Sequence, residues 1–284
     1  MLLWSLDVGA WNFFFRVFRV FRGYFSRVHP IAFQLGPLTI HWYGILIAVG
    51  FLAGVWTAGK RGLRYGLDPQ RISDLAMWIL VGAIIGARAL HVISYWDAEF
   101  KGKPLWEIFK IQNGGLVFYG GLIGAAIAGT IYVKWKKMPF HKTADALAPS
   151  VALGSVFGRI GCLMTGCCYG AKCDLSWAIH FPGDHETHGL PVHPTQLYDS
   201  FANLLLYLGL AWLYRRKKFD GQVFAVFLIG YAILRSTVEI FRGDYQAGEI
   251  RAGLTPGQFV SVGIVAVGIA LLGWLPRSAT AKRG

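Results

Sequence analysis

The chain has 284 residues, of which 55% are hydrophobic and 15% charged. Soluble domains carry about 25% charged residues, so composition excludes an ordinary water-soluble enzyme, and the same apolar richness excludes a disordered chain. The net charge of +13 would suit a nucleic-acid binder, but the basic residues fall between apolar stretches, not on one face, which points to a membrane and away from nucleic acid.

In chain order, residues 1–30 come first. The run WNFFFRVFRVFRGYF places large aromatics and arginines near helical spacing, the pattern of an amphipathic arm in the headgroup layer. Arg16, Arg19, Arg22 and Arg27 interrupt it and no small-residue cleavage site follows, so it does not fit a signal peptide. Residues 31–284 read as one membrane domain. Seven stretches, near 41–59, 73–95, 114–133, 144–165, 196–214, 221–241 and 255–275, approach the ~20 apolar residues that cross a bilayer. The expected fold class is an all-α integral membrane protein with seven transmembrane helices and a small outer-side loop region. Segments following the odd-numbered stretches, with the tail, hold fifteen Lys/Arg; the opposite loops hold six, with eight Asp/Glu. The positive-inside rule then sets the N-terminus outside and the C-terminus in the cytoplasm.

Charge inside the spans is costly and marks candidate functional positions. Arg88, Arg159, Arg235 and Glu239 lie within the stretches, and Asp74, Asp145 and Asp199 lie near their ends. The three arginines sit at similar depth, in the half that also holds His41, Tyr43, His91, Asn113, Tyr119, Gln196 and Gln258. This asymmetry predicts a polar cavity open to the outer side. Several cations with one carboxylate suit a phosphate group; headgroup snorkelling is the competing fate for any one arginine. Tyr231, Arg235, Glu239 and Arg242 share one helical face, and Arg235 can pair with Glu239 at i, i+4. Gly120 and Gly124 have small-xxx-small spacing and predict close helix packing. Pro194 and Asp199 in VHPTQLYDSF read chiefly as a helix start.

The segments HWYGILIAVGF, GGLVFYGG, GRIGCLMTGCCYG, HPTQLYDS, YAILRSTVEIFRGD and LTPGQFVS occur in this order between roughly 35 and 275. In them the chain resembles the bacterial prolipoprotein diacylglyceryl transferase family. The resemblance implies an enzyme of the bacterial inner membrane that moves a diacylglyceryl group from phosphatidylglycerol to the lipobox cysteine thiol of a prolipoprotein. A thioether forms and glycerol phosphate leaves. It implies no organic cofactor, and as partners phosphatidylglycerol, prolipoprotein lipobox segments and membrane lipids. Arg159 and Arg235 match the family's phosphate-stabilising arginines, and Tyr119, Glu239 and Tyr43 are candidates for taking the thiol proton. The catalytic set is Arg159, Arg235, Tyr119 and Glu239. The substrate-binding set is Tyr43, Arg88, Arg159, Gly170, Arg235, Arg242 and Gln258, and no metal ligand is assigned. The alternatives are a lipid- or lipoprotein-binding protein without the chemistry, or an anionic-lipid transporter.

The chain departs from the family pattern, approximately GRxGNFxNxExxG, at three positions. Cys162 replaces the usual Asn, Thr165 a second Asn and Cys167 the usual Glu. All four cysteines, Cys162, Cys167, Cys168 and Cys173, fall within twelve residues. Three readings stay open: disulfides, as suits an oxidising compartment; a zinc site, for which the linear spacing is poor; and reactive thiols. Among pairings, a bridge from Cys167 or Cys168 to Cys173 is favoured over the vicinal pair.

Overall fold

The computed structural model describes residues 30–36, 38–110, 114–243 and 255–281. The amphipathic arm expected over 1–30 lies, but for Pro30, outside the described residues, as does Asn113. Among the described residues, seven α-helices occupy the seven apolar stretches: α1 Trp42–Leu63, α2 Pro69–Ser94, α3 Phe118–Trp135, α4 Phe140–Thr165, α5 Thr195–Tyr214, α6 Gln222–Glu239 and α7 Pro256–Ala281. Five of these, α1, α2, α4, α6 and most of α7, are long and apolar enough to cross a membrane. In the other two the apolar run is broken by polar residues: α3 has Thr130 and, in its last turn, Lys134, and α5 carries Gln196, Asp199 and Asn203.

The structure adds short strands to the expected all-α fold. β1 (Ile31–Leu35) and β2 (Leu38–His41) form an antiparallel hairpin, whose turn contains Gly36 at φ 61°. β3 (Ile179–His180) and β4 (Pro191–Val192) pair likewise. A π-helical turn, Trp96–Phe100, and a 3₁₀ turn, Leu105–Phe109, follow α2.

Local chemistry accounts for the helix ends. Asp68 caps α2 by accepting from the Gln70 N–H at 2.9 Å, with Pro69 at the first helical position, where its missing N–H costs nothing. Thr255 and Gln258 form a reciprocal capping box at the start of α7. The Gln258 N–H donates to the Thr255 hydroxyl at 3.2 Å, and the Thr255 N–H to Gln258 Oε1 at 3.0 Å, so two of the orphan donors of the first turn are satisfied.

The chain forms two compact units. The second, Val55–Leu147, contains all of α2 and α3. Their axes approach through glycines: a Cβ on Gly86 would overlap the Gly120 carbonyl, and one on Gly124 the Gly82 carbonyl. The expected small-residue interface is therefore double, Gly82 and Gly86 on α2 meeting Gly120 and Gly124 on α3. Packing of this kind replaces the hydrophobic drive that lipid removes. Large apolar side chains meanwhile point outward, among them Ile85 at 63% exposure and Ile93 at 72%.

The first unit, Met1–Gly54 with Ala148–Gly284, holds α5, α6, α7 and parts of α1 and α4. Leu52, Phe201, Trp212, Val262 and Trp274 are more than half exposed, a surface suited to hydrocarbon and not to water. Its small apolar core beside β3 and β4 comprises Leu163, Ile179, Phe181 and Val192, packed by Met164, Tyr169 and Leu197.

Gly124→Val should lower stability by about 1–3 kcal/mol, the range for overpacking. Gly154→Ala, whose Cβ meets nothing within 4 Å, should leave it unchanged or slightly higher. Thermal unfolding in detergent measures both.

Candidate functional site

In the first unit, α4 and α5 each bring one charged group, and α6 two, to a common place. Arg159, near the end of α4, donates from Nε to Asp199 Oδ2 at 2.7 Å. Asp199 is buried on α5 and accepts a second bond at Oδ1 from Asn203 Nδ2, at 2.7 Å. On α6, Arg235 Nη2 lies 2.6 Å from Glu239 Oε2, and Nη1 of Arg242, just beyond the helix, lies 3.8 Å from the same oxygen. The Thr255 hydroxyl donates to Glu239 Oε1 at 3.0 Å. Glu239 is fully enclosed: a Cβ on Gly257 would come within 2.7 Å of its carboxylate. Asp199 feels the fields of Arg159, Arg235 and Arg242 together.

Three guanidinium groups therefore surround two buried carboxylates. The excess of one positive charge, in a place poor in water, favours an anionic ligand. Arg235 Nη1 is buried and has no hydrogen-bond partner among the described residues, a donor that an arriving oxyanion would satisfy. The Arg235–Glu239 pairing expected from i, i+4 spacing is present. Asp199 departs from its sequence reading as chiefly a helix-start residue: it is the counter-ion of Arg159. Its signal in the sequence was a carboxylate at the mouth of an apolar stretch, with Asn203 one turn further.

The segment after α4 is held by backbone contacts from three sides. The Gly170 N–H donates to the His193 carbonyl at 3.0 Å, and the Ala171 N–H to the Phe241 carbonyl at 2.8 Å. A Cβ on Gly170 would collide with His193, and Phe241 O would lie 2.8 Å from it, so only glycine allows this approach. Gly170, expected to bind substrate, bridges to Arg242 and so locks the backbone that presents this arginine. The HPTQ motif grips the same segment: Thr195 Oγ1 donates to the Cys168 carbonyl and Gln196 Nε2 to the Cys167 carbonyl, both at 2.8 Å. The His185 ring contacts the Gly166 carbonyl at 2.9 Å.

All four cysteines are free thiols. The bridge to Cys173 favoured from the sequence is not formed. The Cys173 N–H is tied to the Pro191 carbonyl at 3.0 Å, while the sulfurs of Cys162, Cys167 and Cys168 converge, all within 4.8 Å of one another. The Cys168 thiol is lowered by hydrogen bonding with Cys162 and Cys167, aided by the fields of Arg242 and Arg159. Cys167 is raised by the same two neighbouring thiols and by burial.

Tyr43, on α1, lies within the fields of Cys162, Cys167 and Arg159, and the absence of a side chain on Gly161 makes room for its ring. Gln258 serves the α7 capping box and lines a mostly apolar groove of about 400 Å³ with Ala232, Ile233, Ser236, Thr237 and Ile240 of the α6 strip.

Arg88 and Tyr119 belong to the second unit. Arg88 donates to the carbonyls of Ile108 (2.7 Å), Gly114 (2.9 Å), Glu107 (3.0 Å) and Gly115 (3.1 Å), so its fork organises the segment between α2 and α3. It also lines a polar cavity of about 270 Å³ with His91, Glu99, Lys103 and Lys110. Tyr119 is the second residue of α3, half exposed, with its ring edge-on to Phe118.

The family model for prolipoprotein diacylglyceryl transferase matches residues 30–274. Among curated relatives, the phosphatidylglycerol–prolipoprotein diacylglyceryl transferase of Pseudoalteromonas atlantica is 38% identical over 89% of this chain and 91% of its own length. Those of Bordetella bronchiseptica (36%, 87% and 95%) and Finegoldia magna (38%, 85% and 93%) are similarly close.

Asp199→Ala should cost about 1–3 kcal/mol, because it leaves the largely but not fully enclosed Arg159 guanidinium without its counter-ion. The expected outcome is a lower unfolding midpoint in detergent than for Asn203→Ala, which removes only a neutral donor.

Proposed function

The chain belongs to the prolipoprotein diacylglyceryl transferase family, and from that premise we propose that it moves a diacylglyceryl group from phosphatidylglycerol to the cysteine thiol of a prolipoprotein lipobox. The observation that carries this reading is the buried, unpartnered Nη1 of Arg235 beside the Arg159–Asp199 and Arg242–Glu239 contacts. The phosphate of phosphatidylglycerol has the charge and the acceptor oxygens for this set of donors. Arg159 and Arg235 hold it in the ground state and stabilise the growing charge as glycerol phosphate departs, a gain largest where water is excluded. Arg242 and Gly170 complete the binding wall. The groove beside α6, with Gln258 at its polar end, accepts acyl chain.

The thiol sulfur attacks the glyceryl carbon, an S–C bond forms, and the C–O bond to the phosphate breaks with its electron pair on oxygen. Glu239 orients and partly neutralises Arg235 when the site is empty; Tyr119 and Tyr43 are the proposed proton acceptors, and Arg88 a proposed contact for the lipid. All seven helices cross the bacterial inner membrane, with the N-terminus outside, the tail in the cytoplasm and the 166–195 region facing outward. That topology brings the site to the leaflet that presents both substrates.

The test incubates the purified protein with phosphatidylglycerol and a lipobox peptide and weighs the peptide. A gain of one diacylglyceryl group is expected; no gain, with lipid bound, would favour the non-enzymatic binder. In the same assay Arg159→Lys and Arg235→Lys keep charge but lose the planar fork and should each lower turnover by about 10²-fold, the scale of one lost transition-state donor. Wild-type rates in both variants would remove these arginines from the site. Glu239→Gln should cost about tenfold, or ~1.4 kcal/mol of barrier, because orientation is weakened while the arginine stays. Complete loss with lipid binding intact would instead make Glu239 the proton acceptor.

A further inference from the structure

Cys162, Cys167 and Cys168 stand apart from every other thiol arrangement in the chain. Their sulfurs lie within 4.8 Å of one another. Three thiolates around a zinc-sized cation, with bonds of about 2.3 Å, are separated by about 3.8 Å, so a metal needs only a small contraction of the trio. The backbone is shaped for this convergence. Cys168 adopts φ 60°, a left-handed conformation that costs a non-glycine residue about 1–2 kcal/mol, and the carbonyls of Gly166, Cys167 and Cys168 are each clamped by a side chain. Cys173 stays outside the trio, tied to Pro191. Cys167 is exposed and the other two are partly so, which leaves the trio accessible.

A structural zinc site is closed by four protein ligands, whereas one that does chemistry keeps a position open. We propose that Cys162, Cys167 and Cys168 bind a thiophilic cation of the zinc class, and that its open fourth position takes the sulfur of the acceptor cysteine. The proposal rests on the transferase reading above. Cys162 lies three residues beyond Arg159 on α4, so the metal and the phosphate-holding arginine share one helical face. The trio as thiolates with a dication carries one net negative charge, which Arg159 and Arg242 offset. Metal coordination is an established way to make a thiolate near neutral pH. The acceptor thiol gives its proton to water on binding the metal. Its sulfur pair then forms the bond to the glyceryl carbon, and the carbon–oxygen bond breaks toward the phosphate, where Arg159 takes up the charge. The cysteines thus supply, through a metal, the thiol activation that the transferase reading without a metal leaves to Tyr119 and Tyr43.

The test uses the full-length protein, reduced, stripped with a chelator and titrated with Co²⁺ as the optical probe. One cobalt per chain is expected, with thiolate-to-cobalt charge transfer and the intense visible bands of a tetrahedral site. Cys162→Ser, Cys167→Ser and Cys168→Ser should each abolish these, and Cys173→Ser should retain them. A lipobox peptide should raise the charge-transfer intensity of the wild-type protein by about one third, one sulfur joining three, and a peptide with serine in place of its cysteine should not. Failure of the reduced protein to bind cobalt overturns the proposal, as does loss of the bands in Cys173→Ser or an absence of response to the cysteine peptide. Transfer measured on the same samples separates the two readings. Peptide alkylation that persists in metal-free protein defeats the metal and leaves the transferase reading intact. No alkylation at any metal loading, with cobalt and peptide thiol both bound, defeats the transferase reading and leaves the thiolate site standing.

Discussion

A charge in an apolar interior persists only with a partner at hydrogen-bonding distance, and that constraint organises the first unit. Arg159 on α4 requires Asp199 on α5, and Asp199 in turn engages Asn203. Arg235 on α6 requires Glu239, whose second oxygen is satisfied by Thr255 at the head of α7. The Arg159–Asp199 pair fixes the rotation of α5 against α4, since turning α5 away would strand an ion at a cost of several kcal/mol, and the Thr255 hydroxyl ties the head of α7 to the Arg235–Glu239 pair within α6. With three guanidinium groups against two carboxylates, the cluster keeps one positive charge in excess.

Around that centre the polypeptide uses backbone contacts where side chains would not fit. Gly170 sits against His193 and Phe241, Gly243 against Ala171, and Gly257 against the Glu239 carboxylate. These three glycines hold the segment after α4, the end of α6 and the start of α7 in mutual register. Thr195 and Gln196 contribute from another side by bonding the carbonyls of Cys168 and Cys167. A motif that looks like a helix start is thereby also a clamp. The departure of Cys162 and Cys167 from the family's Asn and Glu falls inside this rigid frame, so it changes the chemistry offered there while the surrounding backbone contacts remain.

The second unit follows different physics. With hydrocarbon as solvent, apolar residues gain nothing by hiding from it, and α2 and α3 associate through the close approach that Gly82, Gly86, Gly120 and Gly124 permit. Arg88 spends its donors on four carbonyls of the following segment, so a charge that stands out in the sequence works first as a backbone organiser.

Helix positions were legible from the chain alone because hydropathy and length are local properties: all seven apolar stretches became helices, with ends displaced by up to a few residues, as at α2, which starts at Pro69 behind its Asp68 cap. The charged candidates were legible for a related reason, since an arginine or glutamate in an apolar run is conspicuous wherever it occurs, and the Arg235–Glu239 pair is set by helical spacing. Partners distant in sequence were not. Asp199 as the counter-ion of Arg159 lies forty residues away, Gly170 meets His193 and Phe241 across gaps that no local pattern spans, and the short β3–β4 ladder has too few residues to show a period. The cysteines make the contrast sharpest. Their linear spacing argued against a metal and for a bridge to Cys173; the left-handed turn at Cys168 and the clamps on three successive carbonyls bring Cys162, Cys167 and Cys168 together and leave Cys173 aside. Spacing along a chain speaks for side chains only while the backbone is regular, and where it turns, three-dimensional contacts decide.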